Sequence, residues 1–165
     1  KQHIHHIIFI CLLMVVGWGQ DCDEGYVWID DIPEDCESDG NCFFQSDLDV
    51  LQEFIDNSQE EVEDAIYPSV PSDMPPHELG LQRWDNGRLI EFCSSTWYAW
   101  CHSDYELRGE IPSGIGNLTN IVALGLHNNS LSGEIPPEIG NLTELKSLSL
   151  GGNNFDDEDS KKTRI

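Results

Sequence analysis

The sequence predicts an α/β-type solenoid, with short parallel strands on its concave face and with turns and 3₁₀ segments on its convex face. The main observation is a block of 24 residues that recurs: Ile-Pro returns at residues 111 and 135, and Gly-Asn-Leu-Thr returns at residues 116 and 140. A second observation is the amphipathic helical spacing of residues 46–56, just ahead of the repeats. A period of this length, preceded by a cap, is typical of proteins built from stacked coils.

Each repeat contains residue types that suit a strand, a bend and a return segment. Leu124 and Leu126 are two positions apart, which places both leucines on one face of a short strand. Asn129 can both donate and accept hydrogen bonds in the bend, Gly133 permits a turn, and Pro136 suits an extended return. We therefore expect the following structural set to recur: Leu124, Leu126, Asn129, Leu131, Leu148, Leu150 and Asn153.

These residues resemble the plant-type leucine-rich repeat, whose pattern is LxxLxLxxNxLSGxIPxxIGNL. One full copy is filled by Ile121, Leu124, Leu126, Asn129, Leu131, Ser132, Gly133, Ile135, Pro136, Ile139, Gly140 and Leu142. The resemblance implies an α/β-type leucine-rich-repeat solenoid with a small helical, disulfide-containing N-terminal cap. We assign the repeats to residues 89–155 and a polar tail to residues 156–165.

The predicted cap covers residues 46–88, as a helix followed by a loop. Ser46 is the expected N-cap residue, because an acidic residue follows three positions later. One face of the helix is apolar: Leu48, Leu51, Phe54 and Ile55. The family's cap leads into the first repeat through a Trp and a Gly-Arg-aliphatic strand, and the segment that begins at Trp84 is similar. The cysteine pair that usually flanks this Trp in the family is absent.

The first coil has an insertion. Leu89 and Leu107 are 18 positions apart, where the regular repeat has 10, so eight residues are extra. Cys93 and Cys101 are also eight apart, and we predict that they form a disulfide at the base of an inserted loop, residues 93–101. The loop contains three aromatic residues that either anchor a partner or shield the edge of the solenoid: Trp97, Tyr98 and Trp100.

The N-terminal segment, residues 1–19, has the features of an export signal. Lys1 and three histidines precede a twelve-residue apolar run, Ile7–Trp18, which is short for a membrane span of ~20 residues. Gly17 and Gly19 have the small side chains that a signal peptidase requires, so we predict cleavage after Gly19; an uncleaved anchor is the alternative. The expected location is extracellular, with the periplasm and the cell surface as variants.

Export permits disulfides, and five cysteines follow the signal. We expect Cys22 to pair with Cys42, which leaves Cys36 as the odd thiol. The surrounding segment, residues 20–45, is acidic, and an unbalanced charge of this kind needs disulfides, calcium or a neighbouring surface to stay compact. Asp35, Glu37 and Asp39 alternate as at the start of a calcium loop, but position twelve is Ser46 rather than Glu, so no metal site is predicted.

The overall charge limits the class of partner. Eight Lys and Arg residues oppose 31 Asp and Glu residues, for a formal net charge of −23. This field repels nucleic acid and anionic lipid, so neither is an expected partner. The expected ligand is an extracellular protein, peptide or glycan. The resemblance implies that the ligand lies on the outward positions of the concave strands: Ala123, Gly125, His127, Asn128, Ser147 and Ser149.

Two other classes of function stay open at this point. One is a structural or adhesive module of a larger surface protein, with no ligand of its own. The other is an enzyme, although no serine has a GxSxG-type setting, and we predict no catalytic residue and no cofactor. No apolar pattern follows Phe155 to cover Leu148 and Leu150, so we expect further repeats or a partner at the C-terminal end of the solenoid.

Overall fold

The computed structural model describes residues 22–32, 36–59, 66–96, 101 and 103–156. The predicted signal peptide, the loop residues Trp97, Tyr98 and Trp100, the candidate ligand Asp35 and most of the polar tail lie outside these ranges. Within these ranges, no helix is long and apolar enough to cross a membrane.

The described chain is made of short strands, one α-helix in the cap and short 3₁₀ helices. The strands are β1 (Tyr26–Trp28), β2 (Cys36–Glu37), β3 (Cys42–Phe44), β4 (Leu81–Asp85), β5 (Arg88–Cys93), β6 (Arg108–Glu110), β7 (Ala123–Gly125), β8 (Ser130–Gly133), β9 (Ser147–Ser149) and β10 (Asn154–Phe155). The cap helix is Gln45–Asn57, and the 3₁₀ helices are Pro76–Glu78, Ser113–Asn117 and Pro137–Asn141.

Two sheets run along the solenoid, and each regular coil contributes one strand to each. The larger sheet has the strand order β2-β4-β5-β7-β9, and among these described strands only the β4–β5 pair is antiparallel. The smaller sheet has the order β10-β8-β6 and is parallel throughout. The buried leucines and isoleucines of the repeats form one core cluster with the apolar face of the cap helix. The structure therefore confirms the predicted solenoid with its helical cap.

The strand register locates the extra residues of the first coil. Ala123 pairs with Ser147, one repeat length further along the chain, whereas Glu91 pairs with Ala123 across one repeat length plus eight positions. On the smaller sheet, the paired residues of β6 and β8 are as far apart in the sequence as the paired residues of β8 and β10. The eight additional residues therefore lie between β5 and β6, where a Cys93–Cys101 disulfide joins Cα atoms 5.7 Å apart.

Buried asparagines connect one coil to the next. Asn129 is 5% exposed, and its Oδ1 accepts a hydrogen bond from the Leu107 N–H at 3.0 Å. Its Nδ2 donates to the carbonyl oxygens of Ser94 at 2.7 Å and Leu126 at 3.1 Å. Asn153 repeats the arrangement one coil later and donates to the same Leu126 carbonyl at 2.8 Å. Each amide thus satisfies backbone groups that a buried bend would otherwise leave without partners.

The start of the cap helix differs from the sequence prediction. Ser46 is not the N-cap: the helix begins at Gln45, with Phe44 as the N-cap residue and no side-chain cap. The reason is that β3 runs directly into the helix and long-range backbone hydrogen bonds fix the junction. The Phe44 N–H donates to the Gly87 carbonyl, and the Gln45 N–H donates to the Gly25 carbonyl, both at 2.8 Å.

A buried ion pair joins the cap helix to the first strand of the repeats. The Asp47 side chain is fully buried, and its carboxylate accepts hydrogen bonds from Arg88 Nε at 2.8 Å and Arg88 Nη2 at 3.0 Å. The Leu89 N–H donates to the same carboxylate at 2.9 Å. The hydrogen bond to Asp47 raises the pKa of Arg88. The Arg88 guanidinium also lies over the Phe44 ring, 4.3 Å from its centroid.

The C-terminal coil is covered unevenly. The expectation that Leu150 lies uncovered is wrong, because it is only 2% exposed. Leu150 directly follows β9, which is hydrogen-bonded to the preceding coil, where the Leu126 N–H donates to the Ser149 carbonyl at 2.8 Å. Leu148, in contrast, is 39% exposed. Coverage by further repeats or by a partner remains a prediction for Leu148 alone.

Candidate functional site

The outward side chains of the larger sheet form two rows that cross its strands. Phe92 and Leu124 point into the core and are each 1% exposed, so their neighbours along each strand point outward. The pairing register sets the rows. The first row is Arg83, Glu91, Ala123 and Ser147, and the second row is Leu81, Cys93, Gly125 and Ser149.

These rows border a groove of about 470 Å³ on the larger sheet, hereafter the concave groove. All six outward residues named from the sequence line it: Ala123, Gly125, His127, Asn128, Ser147 and Ser149. Sequence reasoning missed Leu81, Glu91 and Cys93, which also line the groove. The sequence could have identified Glu91, because the repeat length plus the eight-residue insertion places it in register with Ala123.

The floor of the concave groove is built from small residues. At one of them, Gly125, packing alone explains why the residue is small. A Cβ added at Gly125 would lie 2.5 Å from Cys93 Sγ. Gly125 is therefore required by the disulfide that borders the groove, whether or not a ligand binds there. Ala123, Ser147 and Ser149 give a shallow floor with two hydroxyl groups.

One wall of the groove is a constrained turn. Asn128 has a φ of +53°, a left-handed value that asparagine tolerates better than most residues. Its N–H donates to the Gly151 carbonyl at 2.8 Å, and its carbonyl accepts from Thr96 Oγ1 at 2.8 Å. The adjacent His127 is half-buried, and desolvation lowers its pKa. The imidazole is therefore neutral at pH 7. Both of its ring nitrogens are buried, so His127 borders the groove through its carbon atoms.

An ion pair lies at the cap side of the groove, where Arg83 Nη2 bonds to Glu91 Oε1. Both side chains are partly exposed, so the pair contributes little stability and its charges face solvent. The concave groove thus combines a small, mostly neutral floor with one acid and one base at its edge. This arrangement suits binding by shape and hydrogen bonds.

Two of the three candidate calcium residues, Glu37 and Asp39, lie in the described structure. Both carboxylate oxygens of Asp39 accept the Asn86 N–H, at 3.1 and 3.2 Å, and Glu37 lies on β2. Among the described residues, no group of three or more His, Cys, Asp or Glu side chains is arranged to hold a metal ion.

The three described cysteines that precede the cap helix are either paired or buried. Cys22 and Cys42 form a disulfide with their Cα atoms 5.7 Å apart. Cys36 is a buried free thiol, and burial raises its pKa to about 11. At neutral pH it is therefore protonated and a poor nucleophile.

Parallel strands in two sheets, with an asparagine in each regular bend, define a solenoid of stacked coils. Residues 120–142 match the family model described as Leucine Rich Repeat. The matched residues are therefore leucine-rich repeat sequence, and they follow the repeat pattern that the sequence analysis identified.

Two solved structures are similar to parts of the chain. One, the plant peptide hormone receptor RGFR1 in complex with RGF2, is 48% identical over 33% of this chain and 9% of that chain, with a TM-score of 0.31. The other, the leucine-rich-repeat ectodomain of the receptor kinase SOBIR1 from Arabidopsis thaliana, is 22% identical over 68% of this chain and 56% of that chain, with a TM-score of 0.45. This chain therefore spans less than two thirds of either structure. A comparison with curated proteins gives no match.

Proposed function

We propose that this chain is an extracellular recognition module and that its concave groove binds an extended segment of a protein or peptide. The observation that carries the proposal is the groove itself, about 470 Å³ across neighbouring coils with a floor of small side chains. Small residues let the backbone of a ligand approach the sheet closely. The hydroxyl groups of Ser147 and Ser149 supply hydrogen-bonding partners for that backbone.

The floor alone is too small for tight binding. Specific interfaces bury ~800 Å² on each partner and draw most of their energy from a few large side chains. The inserted loop starts at Cys93, which lines the groove, and it contains Trp97, Tyr98 and Trp100. We propose that Trp97 supplies the anchor, with the concave strands as a floor beside it.

The extracellular location rests on the disulfides of the described residues. Cys22–Cys42 and Cys93–Cys101 are both formed. Structural disulfides persist in oxidising compartments and are rare in the cytosol. Cleavage after Gly19 remains part of this proposal, and N-terminal sequencing of the exported protein is its check.

Substitution of Ser149 by arginine tests the groove. Ser149→Arg places a long cation on the floor and should abolish capture of groove ligands by immobilised protein. Ser113→Arg is the matched control, because Ser113 is exposed on a 3₁₀ helix and does not line the groove. Gly125 is unsuitable for this test because a side chain there would collide with Cys93 Sγ at 2.5 Å.

The measurement is quantitative mass spectrometry of extracellular proteins captured by the wild type and by both variants. Ligands of the groove are those that Ser149→Arg loses and Ser113→Arg keeps. If the two variants capture the same proteins as the wild type, those proteins do not bind in the groove, and the proposed role of the groove is wrong. A wild type that captures no protein would favour the structural module.

The anchor is tested once a ligand has been captured. Trp97→Ala should weaken its binding by ~2 kcal/mol or more, while the melting temperature stays within error of the wild type. Titration calorimetry and thermal unfolding measure the two quantities. Unchanged affinity with a lowered melting temperature would show that Trp97 shields the solenoid and does not contact the ligand.

A further inference from the structure

The hairpin of β1 and β3 has an outer face that the core does not use. Val27 pairs with Phe43, which is fully buried, so this side of the hairpin faces the interior. Alternation places Tyr26 and Trp28 on the opposite side. Trp28 is 38% exposed, a large value for a residue type that usually buries most of its area.

This aromatic face is held in place by neighbouring groups. Trp28 Nε1 donates to Asp30 Oδ1 at 2.7 Å, which satisfies the indole N–H and restrains the ring. Next to Trp28 in the chain, the Ile29 N–H donates to the Asn41 carbonyl at 2.9 Å. The Cys22–Cys42 disulfide ties the segment that precedes β1 to the first residue of β3, which pairs with Trp28. The surface that Trp28 offers is therefore the hydrocarbon and π surface of its ring.

A cavity of about 670 Å³ lies on this face, hereafter the hairpin cavity. Tyr26, Trp28 and the Cys22–Cys42 disulfide supply its apolar lining, and Asp23 and Asp39 supply carboxylates. Its volume falls within the ~300–1,000 Å³ range of ligand pockets. None of the ten described residues that line it is basic.

The charges around the hairpin cavity favour a cation. No lysine or arginine occurs between residues 20 and 82. The next two basic residues in sequence, Arg83 and Arg88, are engaged with Glu91 and Asp47. An aromatic face in a negative field attracts a guanidinium or ammonium group through its π surface.

We propose that the hairpin cavity binds an arginine- or lysine-bearing segment of a partner protein, with the cation over Trp28 and beside Asp23. The site lies mainly on the acidic segment that precedes the cap helix, and its lining shares no residue with that of the concave groove. It therefore stands independently of the proposed groove function.

Matched peptides test the proposal directly. The probes are acetyl-Gly-Arg-Gly-amide and the same peptide with citrulline, which has nearly the same shape as arginine but no charge. Nuclear magnetic resonance titration follows the backbone amide signals of Asn41 and Asn86, which line the cavity and which none of the variants below replaces. The arginine peptide should shift both signals saturably, and the citrulline peptide should not.

Variants separate a defined site from general attraction to an acidic protein. Trp28→Ala should weaken binding roughly two- to fivefold, and Trp28→Phe should restore part of it. Asp23→Asn removes one lining carboxylate, whereas Asp49→Asn removes an exposed carboxylate of the cap helix that does not line the cavity. Only Asp23→Asn should weaken binding, and signal dispersion checks that each variant is folded.

Three results would overturn the proposal. The first is equal binding of the arginine and citrulline peptides. The second is unchanged affinity in folded Trp28→Ala. The third is an equal loss in Asp23→Asn and Asp49→Asn, which would show diffuse electrostatic attraction without a site.

Discussion

Replacing Asp47 with alanine is expected to destabilise the protein by about 3–5 kcal/mol, the usual cost of removing one partner from a buried ion pair. The change leaves the Arg88 guanidinium, whose side chain is 19% exposed, without its carboxylate. It also removes the acceptor of the Leu89 N–H, 2.9 Å away. Both groups are at the start of β5, so the junction between the cap and the first coil should loosen. The free energy of unfolding in urea measures the effect.

Asp49→Ala is the matched control, because it removes an acidic side chain from the same helix two positions later. Asp49 is exposed and accepts one hydrogen bond, from Gln45 Nε2 at 2.6 Å. Its replacement should change the free energy of unfolding by no more than about 0.5 kcal/mol. A double-mutant cycle with Arg88→Met should show strong coupling to Asp47. A cost below about 1 kcal/mol for Asp47→Ala would mean that the pair does not hold the cap.

The sequence predicts the repeats well because their signals are local and periodic. The recurring apolar pairs and asparagines determine both the strand positions and the inward residues, and Leu124, Leu126 and Asn129 are buried as the pattern requires. The sequence also predicts the insertion, because the spacing of Leu89 and Leu107 exceeds the corresponding spacing in the regular repeat by eight residues. The predicted outward residues of β7 and β9 do line the concave groove.

The structure of the cap is harder to predict from the sequence, because contacts between distant residues determine it. Asp47 is one acid among many in a uniformly negative segment, and nothing nearby in the sequence distinguishes it from exposed Asp49. Its partner Arg88 is 41 residues away. The helix start at Gln45 is likewise fixed by the carbonyl of Gly25, so the local capping pattern at Ser46 misplaced it.

The role of Gly125 shows a different limit. Its position on the concave face suggests a residue kept small for a ligand, and the repeat pattern alone cannot separate this reason from a packing constraint. The structure supplies the packing reason, since a Cβ at Gly125 would lie 2.5 Å from Cys93 Sγ. The bond between Cys93 and Cys101 and the small floor are therefore linked features of the inserted first coil.

Asn129→Asp is expected to be nearly as destabilising as the loss of Asp47, at about 3 kcal/mol or more. The substitution keeps the shape of the side chain but replaces a donor with a carboxylate, in a site that is 5% exposed. The carbonyl oxygens of Ser94 and Leu126, 2.7 and 3.1 Å from the amide nitrogen, lose their donor and face a negative charge. Each buried polar group left unsatisfied costs about 1–3 kcal/mol, and more when it is charged.

The same substitution in the next coil, Asn153→Asp, provides a comparison within the same protein. Asn153 makes similar hydrogen bonds, with 2.8 Å to the Leu126 carbonyl and 2.9 Å to the Leu150 carbonyl, but it is only half-buried. Water can therefore reach its neighbours, so Asn153→Asp should cost clearly less than Asn129→Asp. Asn120→Asp, at an exposed position, should cost almost nothing.

The pH dependence gives the last check on this explanation. A protonated carboxyl at position 129 regains one donor and loses its charge, so acid should favour the folded form of the variant. Burial raises the pKa of the new carboxyl above its unfolded value of about 3.9. The difference in unfolding free energy between the wild type and Asn129→Asp, measured at each pH, should therefore shrink as the pH falls from that raised pKa towards about 4. A difference that stays constant from neutral pH down to about pH 4 would mean that the cost comes from altered packing and not from the buried charge.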